Sequence, residues 1–238
     1  MNLKKEIPLK TILVSILVSF ITILLLMVLA NINYTTSSLG TNLLSINTIH
    51  TQTANSVTSV VTYFRGLDTL GEVTILFLTI FGISLGIEKA DKKQNILSNN
   101  SELLETGSKI ISPVIILFGL YIITQGHLSP GGGFQGGVII ANGFLLNFLA
   151  FGDGFNLNHK LITLFEALSG AAIVIMGILG VILVDIYFGN FLPLGNIQEL
   201  LSGGIIPILY IFVGLKVASE IIVMIEYFLK TKEAEEDV

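Results

Sequence analysis

Cysteine is absent from the 238 residues, which excludes disulfide scaffolding, Cys-ligated zinc, iron–sulfur ligation and thiol nucleophiles in this chain. Charge is scarce as well: Asp, Glu, Lys and Arg make up 12% of the sequence, against about 25% in an ordinary soluble domain. A chain this poor in charge cannot cover itself with a polar surface. Its net charge of −5 and the lack of any basic stripe exclude bulk attraction to nucleic acid. His50, His127 and His159 are scattered and supply no metal site. No serine stands in a nucleophile-elbow motif, so a lipid-modifying hydrolase or transferase finds no support.

What the sequence holds instead is long apolar runs. Hydrophobic residues are 52% of the chain and the mean hydropathy is +0.84. A membrane-spanning helix needs roughly 20 mostly apolar residues. Six segments qualify, at about 11–30, 70–87, 110–124, 134–151, 161–184 and 201–229. The first, preceded by Lys4, Lys5 and Lys10, exceeds the roughly 7–15 apolar residues of a cleaved leader and reads as a retained anchor. The expected fold is therefore an all-α membrane protein with six transmembrane helices, multi-pass in the cell membrane.

Orientation follows from the basic residues. Lys4, Lys5 and Lys10, then Lys89, Lys92, Lys93 and Lys109, then Lys160, and last Lys230 and Lys232 all fall on one side of a six-helix chain. Ten of the twelve Lys and Arg residues on that side make both termini cytoplasmic. The remaining two are Arg65, near the start of the second span, and Lys216, inside the sixth. An odd number of spans would break this pattern.

The chain divides into a two-helix unit at 1–90, a charged cytoplasmic linker at 91–106, a four-helix part at 107–230 and an acidic tail at 231–238. No internal repeat is present. The loop at 31–63 is rich in Asn, Thr and Ser and carries no Asp, Glu, Lys or Arg. Val57, Val60, Val61 and Phe64 have helical spacing, which suits a short helix on the membrane surface or against a partner.

Three stretches carry chemistry. In Phe64-Arg65-Gly66-Leu67-Asp68-Thr69-Leu70-Gly71-Glu72, a helix starting near Arg65 gathers Arg65, Asp68 and Glu72 within about a 60° sector. Glu72 lies deepest, and two readings stand: a proton site balanced between desolvation and the neighbouring arginine, or a static Arg–Asp pair with Glu72 at the helix dipole. The second stretch runs from Gly126 to Gly137 (GHLSPGGGFQGG). Pro130 sets a turn, Gly131, Gly132 and Gly133 open the backbone, and the pairs Gly132/Gly136 and Gly133/Gly137 permit close helix approach. No strand precedes it and no Gly-Lys-Ser follows, so it is a packed connection and not a phosphate loop. His127 at its edge is either a proton relay or a plain polar contact. The third is the sixth span, where Lys216 and Glu220 share a face and Glu226 lies on another. Intramembrane charges face protein or water and are functional candidates by default. Here the alternative is a neutral pair that serves only assembly. Glu166, near the start of the fifth span, is of the same kind.

HLSPGGGFQGG, with its flanking helices, resembles the signature of the MnhB/MrpB family, the B subunits of multisubunit Na+/H+ antiporters. The resemblance covers about 107–230, so the four-helix part is MnhB-like. FRGLDTLGE resembles a motif near the C-terminal end of the large A-type subunit of these antiporters, and also the small E subunit of membrane-bound [NiFe] hydrogenases. The chain thus looks like a fusion of a two-helix unit with a B-type subunit. The resemblance implies no redox chemistry and no cofactor in this chain, which is not itself an enzyme. It implies the other membrane subunits of an antiporter module as partners, hydrogenase-type subunits among the candidates, with Na+ and H+ as cargo. The motifs carry over Arg65, Asp68, Glu72, His127 and Pro130. Glu166, Lys216 and Glu220 rest on intramembrane charge alone.

Overall fold

A computed structural model describes residues 19–20, 22–23, 26–27, 38–87, 101–152, 155 and 157–236. By its internal contacts the chain forms two units, 1–42 and 43–238. Most of the first apolar run, with the linker at 91–100, lies outside the described residues. Apart from residues 38–42 at the start of the first helix, everything below concerns the second unit.

Helix α1 (Ser38–His50) and the short α2 (Ser56–Ser59) precede a π-helical turn (Val60–Phe64). Five longer helices follow: α3 (Gly66–Ile87), α4 (Glu102–Thr124), α5 (Gly133–Phe151), α6 (His159–Val184) and α7 (Ile206–Glu236). No strand occurs among the described residues. Each of the five contains a stretch long and apolar enough to cross a membrane. They coincide with the second to sixth predicted segments.

The main difference is at α4, expected to begin near residue 110. Ser101 caps it, its hydroxyl accepting from the Leu103 N–H, and Glu102 and Glu105 occupy the first turn, where carboxylates favour the helix dipole. Local capping thus carries the helix into sequence that reads as linker. The uncharged loop is also more ordered than its composition suggests, since α2 and the π-turn take up the helical spacing of Val57, Val60, Val61 and Phe64. Val57 is exposed, whereas Thr58, Ser59 and Thr62 are buried.

Helix α7 is the most deeply buried of the five and packs against α3, α4, α5 and α6. Val213 and Val217 of α7 meet Ile173 and Met176 of α6 and Val73 of α3 in one apolar core. The opposite faces of α3, α4 and α6 turn large apolar residues outward, among them Ile75, Phe81, Leu117, Phe118 and Ile182. That is the surface a bilayer requires, since only the hydrocarbon solvates it without cost.

The glycine motif provides the seams. A Cβ at Gly136 would stand 2.6 Å from the Gly119 carbonyl oxygen, and one at Gly137 2.8 Å from that of Gly214. Helices α4 and α7 therefore approach α5 on adjacent faces, one through each glycine. Further along the α4–α5 seam the Ser112 hydroxyl donates to the Gly143 carbonyl (2.9 Å) and the Asn147 amide donates to Ser112 Oγ (2.8 Å). Small residues and interhelical polar bonds are what holds helices together where lipid removes the hydrophobic drive.

Candidate functional site: a buried ion cluster and a bridged loop

Helices α3, α6 and α7 converge on Lys216. Its Nζ lies 3.2 Å from Glu166 Oε1, to which it donates a hydrogen bond, and 2.7 Å from Glu220 Oε1 outside hydrogen-bond alignment. Glu220 is fully buried, and its Oε2 meets no donor. The ammonium also stands 4.7 Å from the centroid of the Phe77 ring on α3, an attractive cation–π distance. Gly170 borders the lysine stem, and a Cβ there would make an ordinary contact with Lys216 Cε at 3.6 Å. With all three groups ionised, two carboxylates share one ammonium and the cluster bears one net negative charge. A second pair, His159 Nε2 to Glu226 Oε1 at 2.9 Å, joins the start of α6 to the far end of α7.

The i, i+4 spacing of Lys216 and Glu220 was legible in the sequence. Their pairing with Glu166 was not, because it depends on how α6 packs on α7. Phe77 gave no signal, being one aromatic in an apolar helix.

Asp68 and Glu72 lie in the first turns of α3 and Arg65 just before it, and all three are exposed in the single chain. Arg65 pairs with Asp68. No ion pair joins Arg65 to Glu72 among the described residues, so the expected polarisation of Glu72 by Arg65 is not made through direct contact. Helix α3 begins at Gly66, Arg65 is the C-cap of the π-turn, and its pair with Asp68 has i, i+3 spacing.

His127 is fully buried in the connection between α4 and α5. Pro130 is exposed, while Gly132, Gly133, Gly136 and Gly137 are buried and Gly131 half-buried. Gly132 has φ +148°, a conformation few other residues adopt. The connection is held by a residue the sequence reading passed over. The Asn55 amide donates to the carbonyls of Gly126 (3.0 Å) and Ser129 (2.9 Å), and its backbone N–H donates to the His127 carbonyl (3.1 Å). Its side-chain oxygen caps α2 by accepting from Val57 and Thr58. The Thr58 hydroxyl adds a 2.6 Å bond to the Gly126 carbonyl. Beside it, Asn47, Thr51 and Thr53 form a buried network of side-chain hydrogen bonds. The dense Asn and Thr content of the loop was the available signal. Asn55→Ala removes two part-buried interloop bonds, leaving the Ser129 carbonyl without its side-chain donor and the Gly126 carbonyl with Thr58 alone. The expected cost is about 1–3 kcal/mol, with faster amide hydrogen exchange confined to residues 125–133.

The domain family described as related to the MnhB subunit of Na+/H+ antiporters matches residues 103–223, about half the chain. An uncharacterised protein of Methanocaldococcus jannaschii is 30% identical over 189 residues, covering 68% of this chain and 72% of that protein. A Staphylococcus saprophyticus protein described as antiporter subunit mnhB2 is 44% identical over 55 residues, and the match spans only 23% of this chain and 39% of that one. Among solved structures, a chain of the membrane-bound sulfane sulfur reductase, an archaeal respiratory membrane complex, superposes with a TM-score of 0.78 at 36% identity, covering 93% of this chain and 99% of that one. A chain of the Mrp complex from Dietzia sp. DQ12-45-1b shares the fold, with a TM-score of 0.72 at 22% identity over 93% of this chain and 26% of that one. The protein is thus a multi-pass membrane protein, and it belongs to the family of domains related to the MnhB subunit of Na+/H+ antiporters.

Proposed function

We propose that the chain is an integral subunit of a multisubunit cation/proton antiporter module built into a respiratory-type membrane complex, and that the Glu166–Lys216–Glu220 cluster holds a proton or a sodium ion in transit. The observation that carries this reading is the fully buried Glu220 beside a lysine already shared with Glu166. A net negative charge in apolar surroundings is costly, and one monovalent cation relieves it. The chain bears too few intramembrane charges for a complete path, so neighbouring subunits supply the rest. Six spans, both termini cytoplasmic, and fusion of a two-helix unit to the MnhB-like part belong to the same reading. The asymmetry of the basic residues supports the orientation. Continuous coverage of this chain within single chains of two complexes supports the fusion. The chain is not itself an enzyme in this reading, and redox work falls to partners. Kinship at 36% identity favours a sulfane-sulfur-reductase type of assembly over a hydrogenase type.

Arg65, Asp68 and Glu72, exposed on the free chain, would meet a partner subunit, with Glu72 as its ion-exchanging carboxylate. The test is Glu220→Gln and Glu72→Gln in the intact complex, assembly being checked in each. Both variants are expected to assemble and lose most sodium-dependent proton exchange. Glu72→Gln should leave the stability of the free subunit within about 0.5 kcal/mol, as surface changes do. Unchanged exchange in both would leave an adaptor that seals and spaces the module, the reading its glycine seams favour.

A further inference from the structure

Neither ring nitrogen of the wholly buried His127 completes a hydrogen bond with a protein group. Backbone carbonyls of Thr124, Glu199 and Leu200 surround the ring. A Cβ at Gly203 would lie 3.8 Å from His127 Cδ2 and 3.1 Å from Thr53 Cγ2, so the segment after Glu199 packs directly on the imidazole. Next to Gly203, the Ser202 hydroxyl is likewise buried and unpartnered. Buried polar groups are bonded in the great majority of cases, and exceptions gather at sites with a task.

The surroundings are acceptors without fixed charge. Glu199 offers its carbonyl, while its carboxylate accepts from the Asn196 amide at the surface (3.0 Å). Thr53 and Ser202 are neutral. The Tyr210 ring packs on the neighbouring Gly126, where a Cβ would stand 2.8 Å from its Cδ2. The Tyr210 hydroxyl stands among those of Thr58 and Thr62, within electrostatic reach of Glu72. Tyr210 lies six residues before Lys216 on α7, about 9 Å along the axis.

Resting on the antiporter reading, we infer that His127 is the proton-holding group at the non-cytoplasmic end of this subunit, feeding the Lys216 cluster through the hydroxyls of Thr58, Tyr210 and Thr62. One proton adds to a ring nitrogen. The imidazolium's two N–H groups then donate to carbonyls among Thr124, Glu199 and Leu200. The same proton leaves toward the hydroxyls, and no electron moves. An imidazole suits this because it is a donor at one nitrogen and an acceptor at the other when neutral, and a double donor when charged. Among the described residues the cage supplies acceptors for the charged form and sets no cation against it.

Burial holds the imidazole below its ordinary value of 6.5, with the three carbonyls opposing that shift. The folded chain therefore binds fewer protons than the unfolded chain as pH falls through that value. Stability contributed by His127 is present above it and declines below it.

The test has two arms. In vesicles holding the intact complex, His127→Gln keeps an amide in the cage but cannot carry a proton. It is expected to assemble, lower exchange at least tenfold and flatten its dependence on the pH of the non-cytoplasmic compartment. In the full-length subunit in detergent micelles, the chain's three histidines give few nitrogen-15 imidazole signals, and His127→Gln identifies the one lost. That signal is expected to titrate reversibly below 6.5. A His127 ring that stays neutral across the whole imidazole range, or a variant with the wild-type pH profile, overturns the inference. A wild-type complex without any exchange would instead sink the antiporter reading, while the micelle titration still decides whether His127 holds a proton.

Discussion

Replacing Lys216 by Met is expected to destabilise the subunit by about 3–5 kcal/mol, the range for removing one partner of a buried ion pair. The reason is the position of Glu220. It is fully buried, so it cannot leave the protein interior when the ammonium goes, whereas the half-buried Glu166 lies partly at the surface of the chain. Methionine keeps most of the lysine stem beside Gly170 and the Phe77 ring, so lost packing contributes little. The double variant Lys216→Met/Glu220→Met separates charge from shape. With both charges gone, stability is expected to return to the wild-type level or above it, while ion exchange by the assembled complex stays lost. Unfolding midpoints of the purified subunit in micelles measure the first effect, and vesicle assays of the complex measure the second. A single Lys216→Met variant as stable as wild type would mean that Glu220 reaches water or is already neutral, and the cluster would lose its role as a charged waystation.

The sequence and the structure agree where local periodicity decides the outcome. Lys216 and Glu220 lie on one face because four residues advance a helix by little more than a turn, and Gly133 and Gly137 both face α7 for the same reason, whereas Gly132 lies before α5 with a non-helical backbone and does not share the seam of Gly136. What stayed hidden depends on distant segments meeting. Glu166 joins Lys216 across 50 residues, and Asn55 reaches Ser129 across 74. Neither pairing leaves a periodic trace. At Arg65 the periodic argument left two readings, and among the described residues the i, i+3 pair with Asp68 is the one formed, next to a helix that starts one residue after Arg65. In the uncharged loop the helical spacing was legible, but the mutual bonding of Asn47, Thr51 and Thr53 out of solvent was not. Low charge predicted the membrane correctly and said nothing about where polar groups would be hidden inside it.

Gly136→Ala tests the seam on which these placements depend. A methyl there would fall 2.4 Å from Ile123 Cγ1 and 2.6 Å from the Gly119 carbonyl oxygen. The isoleucine can rotate, but the carbonyl belongs to the backbone of α4, so the two helices must separate. Separation also stretches the Ser112–Gly143 and Asn147–Ser112 bonds further along, which in lipid have no water to replace them. Overpacking of this kind costs about 1–3 kcal/mol, and the strained bonds push the expected loss to the upper end. Because α5 holds α7 through the neighbouring Gly137, displacement of α4 should also loosen the Lys216 cluster, lowering exchange without touching a charged residue. Gly82→Ala is the matched control. Nothing lies within 4 Å of a Cβ at that position on α3, and alanine in a helix interior is favoured over glycine by about 0.5–1 kcal/mol. Its unfolding midpoint in micelles should equal or exceed wild type while that of Gly136→Ala falls. Equal midpoints for the two variants would show that α4 and α5 do not meet backbone to backbone, and the close approach that brings α7 to its ion cluster would have to be abandoned.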